Sequence, residues 1–89
     1  LAWTIEYTAK ALRALRKIDI NTQQRIVDFM DHRVAVHPEP LTLAKPMQGE
    51  FAGKWRYRVG DYRLICSIED QKMVIQVIEL GHRRSIYER

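Results

Sequence analysis

Residues 54–69, KWRYRVGDYRLICSIE, alternate apolar and polar side chains on both sides of a Gly-Asp pair. Alternation of this kind marks a strand with one buried face, and glycine in the first central position suits a two-residue hairpin loop. With Gly60 and Asp61 as that loop, Val59 faces Tyr62, Arg58 faces Arg63, Tyr57 faces Leu64 and Trp55 faces Cys66. Side chains alternate across a sheet, so one face gathers Trp55, Tyr57, Val59, Tyr62, Leu64, Cys66 and Ile68. The other gathers Lys54, Arg56, Arg58 and Arg63. The chain must therefore build a sheet with a core side and a cationic side.

What covers the core side is readable upstream. WTIEY (3–7) is rich in aromatic and β-branched residues and reads as a first strand. Thr8 is placed to cap a short helix, AKALRALRKI, with Ala11, Leu12, Leu15 and Ile18 as its apolar stripe. Asn21, followed three residues later by Gln24, has the form of a capping box opening a longer helix, TQQRIVDFMDHRVAV. Two helices joined by a tight turn predict an antiparallel hairpin. From His37 to Gly53 prolines and glycines break the periodicity, so this segment is a connecting loop.

Strands are expected at 54–59, 62–69 and 72–80, with a tight turn at Asp70-Gln71. In that register Met73, Ile75 and Val77 join the apolar face and Ile78 lies beside Arg63. The expected fold is one α+β domain over 1–89, an N-terminal strand and a two-helix hairpin packed on a mostly antiparallel sheet. The order is β-α-α-β-β-β, with room for a short final strand in the tail.

The cationic side breaks a local rule. Like charges directly opposed across strands destabilise a pair by about 0.2–1 kcal/mol, and Arg58 stands against Arg63 with Arg56 two positions away. Asp61 is the counter-charge nearby. Broken rules of this kind tend to mark functional sites, and a phosphate would relieve the repulsion through bidentate guanidinium contacts. The tail, GHRRSIYER, adds His82, Arg83, Arg84 and Tyr87. Gly81 offers a bend, His82 is expected near the arginines as a proton acceptor, and Tyr87 can stack on a base or seal the sheet edge.

Charge and composition agree with a polyanionic partner without requiring one. The formal net charge is +4, with 15 Lys and Arg against 11 Asp and Glu over 89 residues. The single cysteine, Cys66, excludes an internal disulfide, and neither a metal nor a cofactor is expected, because the Cys and His residues lack ligand spacing. The chain has no apolar run of the roughly 18 residues a membrane span needs, so a cytoplasmic protein is expected. Asp28 and His32, at i and i+4, read as a surface pair; His37 stands alone in the loop. Cys66 reads as a small core residue. The basic face of the first helix, Lys10, Arg13, Arg16 and Lys17, is a solvated surface or a grip for RNA or for an acidic partner.

The ordered set WRYRVGDYRLICSIED, one further strand, then GHRRSIY resembles the RelE branch of the RelE/ParE toxin superfamily over essentially the whole chain. The resemblance implies a toxin of a type II toxin–antitoxin pair, an endoribonuclease that cuts messenger RNA in the ribosomal A site. It also implies an acidic RelB-like antitoxin wrapping the toxin, and operator DNA bound only through that antitoxin. By position, Arg56 and Arg58 stand where the family often has lysines, Arg63 is the strand arginine after the glycine turn, and Arg83 and Tyr87 are the arginine and tyrosine of the tail. His82 stands where a lysine is found in the best-known member.

Arginine binds phosphate but stays protonated, so the two replacements shift proton acceptance to His82. The mechanism implied needs no metal: the RNA 2′-hydroxyl attacks the adjacent phosphorus and the 5′-oxygen leaves. Arg56, Arg58 and Arg63 would stabilise the phosphoryl oxygens, Arg83 the leaving oxygen, and Tyr87 would orient the nucleotide. Lys54, Arg84 and the basic face of the first helix would add RNA contacts. The ParE branch offers another reading, a non-nucleolytic toxin that binds DNA gyrase.

Overall fold

The computed structural model describes residues 2–83. Strand β1 (Thr4–Tyr7) leads into helix α1 (Ala9–Arg16), helix α2 (Ile20–Phe29) and a single π-helical turn at Met30–Val34. A two-residue strand β2 (Lys45–Pro46) follows, then β3 (Trp55–Val59), β4 (Tyr62–Glu69) and β5 (Val74–His82). The sheet order is β1-β5-β4-β3-β2. β1 runs parallel to β5; the other neighbours are antiparallel.

The helical hairpin starts from side-chain caps. Thr8 Oγ1 accepts from the Ala11 amide at 3.1 Å, satisfying one of the amides α1 leaves unpaired at its start. α2 is capped by Asp19 rather than by Asn21: Asp19 accepts from the Thr22 amide at 3.0 Å and from its hydroxyl at 2.8 Å. Asp19 comes first in the chain and is as good a cap, so the helix opens two residues earlier. Gln24 instead donates to Asp28 along the helix, and Gln23 donates to the Ile18 carbonyl, closing the turn between the helices. The long helix expected to Val36 loses α-helical bonding at Met30, where the Ala35 amide reaches the Met30 carbonyl.

The first hairpin has the expected register, including Arg58 opposite Arg63 and Trp55 opposite Cys66. Gly60 has φ 57°, the left-handed conformation that the first loop position of a type II′ turn demands. The second hairpin differs. Its connection takes four residues, Asp70–Met73, with Met73 itself at φ 55°, and β5 begins at Val74 instead of residue 72. Met73 therefore lies in the turn and not on the apolar face. A β-bulge then skips Ile78, because Cys66 pairs Val77 while Ile65 pairs Glu79. Both changes add up to a shift of three residues, so Arg63 is opposite Gly81 and not Ile78. Gly81 sits inside β5 and makes no bend.

The core lies between the hairpin helices and one face of the sheet. Ala11, Ile26, Met30, Val34, Tyr57, Leu64, Cys66, Ile75 and Val77 are fully buried there. The Tyr57 hydroxyl donates to the Pro40 carbonyl at 2.8 Å, fixing the connecting segment to the sheet. Among the described residues no helix is long and apolar enough to cross a membrane.

Candidate phosphate-binding site

The outer face of the sheet carries more opposed charge than alternation in a single hairpin predicts. β2 places Lys45 opposite Arg56, and β3 and β4 place Arg58 opposite Arg63. Leu43, Lys45, Arg56 and Arg58 line one open cleft of about 240 Å³. Lys45 escaped sequence reasoning because a two-residue strand that itself contains a proline leaves no periodic trace. Its only signal is a cation followed by a proline in a segment that must return to the sheet edge.

Arg63 is the interior member of the cluster, 8% exposed, with Nη1 3.5 Å from the Tyr62 carbonyl. The residue opposite it in β5 is Gly81, which brings no side chain of its own to the pair. Ile65, also on that face, pairs with Arg56 and Glu79 and is fully buried, giving the cations an apolar floor. Cations gathered around an apolar floor suit an oxyanion: forks of N–H groups meet phosphate oxygens two at a time. Lys54 precedes β3, half-buried, with its amide bonded to the Phe51 carbonyl.

The register shift also re-aims the tail. His82 pairs with Tyr62, two positions from Leu64 and so on the core face; the two rings meet edge to face with centroids 5.7 Å apart. His82 thus lies on the α1 side of the sheet rather than among the arginines. It lines a groove of about 460 Å³ with Lys10, Arg13, Lys17 and Tyr62. Lys10 is bound at 3.0 Å to Glu79, and Arg16 is exposed on the same helix. Arg83 follows at the sheet's end, its amide 2.7 Å from the Asp61 carbonyl and its Nε 4.0 Å from the Asp61 carboxylate. Asp61 therefore faces Arg83 at the mouth of the first hairpin. Arg84, Tyr87 and any final strand lie outside the described residues.

The remaining candidates are structural. Cys66 is fully buried and burial pushes its thiol up, which removes the thiolate that nucleophilic chemistry needs. His37 Nδ1 accepts from the Glu39 amide in a local turn. Asp28 accepts from Gln24.

Comparison with known proteins places this arrangement. The family described as ParE toxin of type II toxin-antitoxin system, parDE, matches residues 5–87. Toxin RelG of Mycobacterium tuberculosis is 32% identical over 89 residues, covering 100% of both chains. Toxin RelE of the same organism is 26% identical over 93% of this chain and 84% of its own. A chain of the RelBE2 toxin–antitoxin complex from Mycobacterium tuberculosis superposes with a TM-score of 0.84 at 30% identity, over 93% of each chain. A mutant of the toxin RelE from E. coli in the free state shares the fold, with a TM-score of 0.73 at 20% identity over 96% of this chain and 87% of that one. The two-helix hairpin on a mostly antiparallel sheet is thus the fold of toxins of type II toxin–antitoxin systems, and this chain belongs to their RelE/ParE superfamily.

Proposed function

We propose that this toxin is a ribosome-dependent messenger-RNA endoribonuclease of the cytoplasm, held inactive by an acidic RelB-like antitoxin. The observation that carries the reading is the opposed pair Arg58 and Arg63, with Lys45 and Arg56 beside it, on the face that the helices leave uncovered. Guanidinium and ammonium groups gathered on one face offer charge and donors to the oxygens of a phosphate. The solved toxin–antitoxin complex with the same fold supports the antitoxin partner, which would carry any contact with operator DNA.

In the proposed reaction the 2′-oxygen attacks the adjacent phosphorus and the 5′-oxygen departs, leaving a cyclic phosphate. Arg56, Arg58 and Arg63 bind the phosphoryl oxygens as charge builds on them; single donors of this type contribute about 10²–10³ in rate. Arg83 is assigned to the leaving oxygen and Tyr87 to the nucleotide. His82 is assigned the 2′ proton, for which its ring must leave the contact with Tyr62. Lys54, Arg84 and the exposed cations of α1 add contacts to RNA.

The test is the position of new 5′ ends in messenger RNA after brief induction. Cuts inside codons of translated messages are expected, and Arg63→Ala or Arg83→Ala should abolish both the cuts and growth inhibition while antitoxin binding persists. The match to the ParE description favours one further reading, a toxin that binds DNA gyrase. Intact messages accompanied by DNA damage would establish that reading in place of the first.

A further inference from the structure

A second cationic groove, of about 480 Å³, lies where α2 meets the tip of the first hairpin. Three arginines line it, Arg25 and Arg33 from the helical side and Arg58 from β3, against one carboxylate, Asp28. None of the three forms an ion pair among the described residues, and Asp28 is engaged by Gln24. Their placement is built in. The Arg25 guanidinium lies against Gly60, its Nη1 3.1 Å from where a side-chain carbon would stand, so the turn glycine makes its seat. Arg33 lies over the Phe29 ring at 5.9 Å, and that ring meets Tyr57 of the core edge to face.

Two further features tie the groove to the sheet. The π-helical turn at Met30–Val34 carries both His32 and Arg33, and irregular turns of this type recur at functional positions in helices. Arg58 lines both this groove and the cleft shared with Lys45 and Arg56. One exposed guanidinium thus joins two cationic hollows around the open end of the β3 edge.

We propose that this groove is a phosphodiester-binding extension of the outer-face site, which receives the phosphates flanking the scissile one as the RNA strand passes around β3. This rests on the ribonuclease reading above. The occupant follows from charge: an exposed row of guanidiniums with no ion pair among the described residues, joined to the proposed phosphate site, selects a polyanion with regularly spaced charges. Phe29 and His32 add ring surface beside the cations.

The probe is a fluorescent single-stranded RNA of about 12 nucleotides, 2′-O-methylated so that it cannot be cut, titrated at several salt concentrations. Arg25→Glu and Arg33→Glu should each weaken binding roughly 3–10-fold and lower the slope of log affinity against log salt by about 0.7 for each phosphate no longer neutralised. Lys72→Glu, in the turn on the opposite side of the fold, makes the same change in net charge and should do neither. Arg25 and Arg33 variants that track Lys72→Glu overturn the proposal. So does normal oligonucleotide binding with diminished ribosome affinity, which would assign the groove to folded ribosomal RNA. Loss of antitoxin binding alone would make it a protein interface and equally overturn it. Message cleavage by the wild type, mapped in parallel, separates the two failures: a wild type that cuts beside variants that bind normally rejects only the groove, whereas a wild type that never cuts rejects the ribonuclease itself.

Discussion

His82 meets Tyr62 edge to face on the α1 side of the sheet, one strand position from the pair formed by Arg63 and Gly81. Aromatic pairs of this geometry contribute about 0.5–1.5 kcal/mol beyond their buried area, which sets what the imidazole gives up on turning toward a ribose. If His82 accepts the 2′ proton, His82→Gln lowers the cleavage rate constant by about 10²–10⁴ while RNA binding stays within a few-fold. Single-turnover cleavage on programmed ribosomes reads both. An unchanged rate constant removes the histidine from proton transfer and leaves the arginines to act by charge alone.

Arg58 offers the opposite signature, stability gained as function is lost. It is exposed, it opposes Arg63, and it forms no ion pair among the described residues. Arg58→Thr keeps a residue that suits a strand and removes the repulsion, which is worth a few tenths to about 1 kcal/mol. For a domain of this size that raises Tm by up to roughly 4–8 °C, while growth inhibition falls. Thermal denaturation of the purified variant checks the first, and a lowered Tm would show that the guanidinium stabilises the sheet after all.

The sheet's first hairpin was legible because two local signals agree: alternation on both arms and a glycine where a type II′ turn requires one. The second hairpin hid its register. Asp-Gln-Lys-Met contains no glycine, yet Met73 takes the left-handed conformation, and Ile78 forms a bulge without any glycine to announce it. The longer turn slides β5 by two residues and keeps its faces, whereas the bulge adds one residue and exchanges them; together they carry His82 away from the arginines and put Gly81 beside Arg63. The cap of α2 was ambiguous for a simpler reason: Asp19 and Asn21 are equally able acceptors, and only the hydrogen-bonded structure selects one. Lys45 needed tertiary pairing to appear at all.

Met73 gives the register a direct test. A non-glycine residue in the left-handed region is strained by about 1–2 kcal/mol, whereas glycine brings back about 0.5–1 kcal/mol of backbone entropy cost. Met73→Gly should therefore stabilise the fold by about 0.5–1 kcal/mol, a rise of a few degrees in Tm. Its amide bond to the Asp70 carbonyl and its carbonyl bond from the Thr4 amide are kept, because both belong to the backbone. A drop in Tm would mean that the methionine side chain contributes more through packing than its backbone loses in strain.

Alkaline stability tests the interior. Burial, with repulsion from Asp31 and Cys66, pushes the Tyr7 hydroxyl up to about 12 from the usual 10.0. Burial likewise raises Tyr57 above 10.0 and Cys66 above 9.0. All three are held neutral in the fold and lose their protons more readily when unfolded. Their contribution is complete below pH 9.0, begins to fall there as unfolded Cys66 ionises, and falls faster above 10.0 as the tyrosines follow. Each group steepens the fall by at most about 1.4 kcal/mol per pH unit, less where water still reaches it. Urea denaturation from neutral pH to roughly pH 11 should trace this bend. Tyr7→Phe sharpens the test, since the Tyr7 hydroxyl is buried and lacks a hydrogen-bond partner among the described residues. Its removal should leave the protein as stable or more stable at neutral pH and flatten the decline between 10.0 and about 12. A variant that loses stability at neutral pH and keeps the full alkaline slope would show that the hydroxyl is hydrogen-bonded and titrates alike in both states.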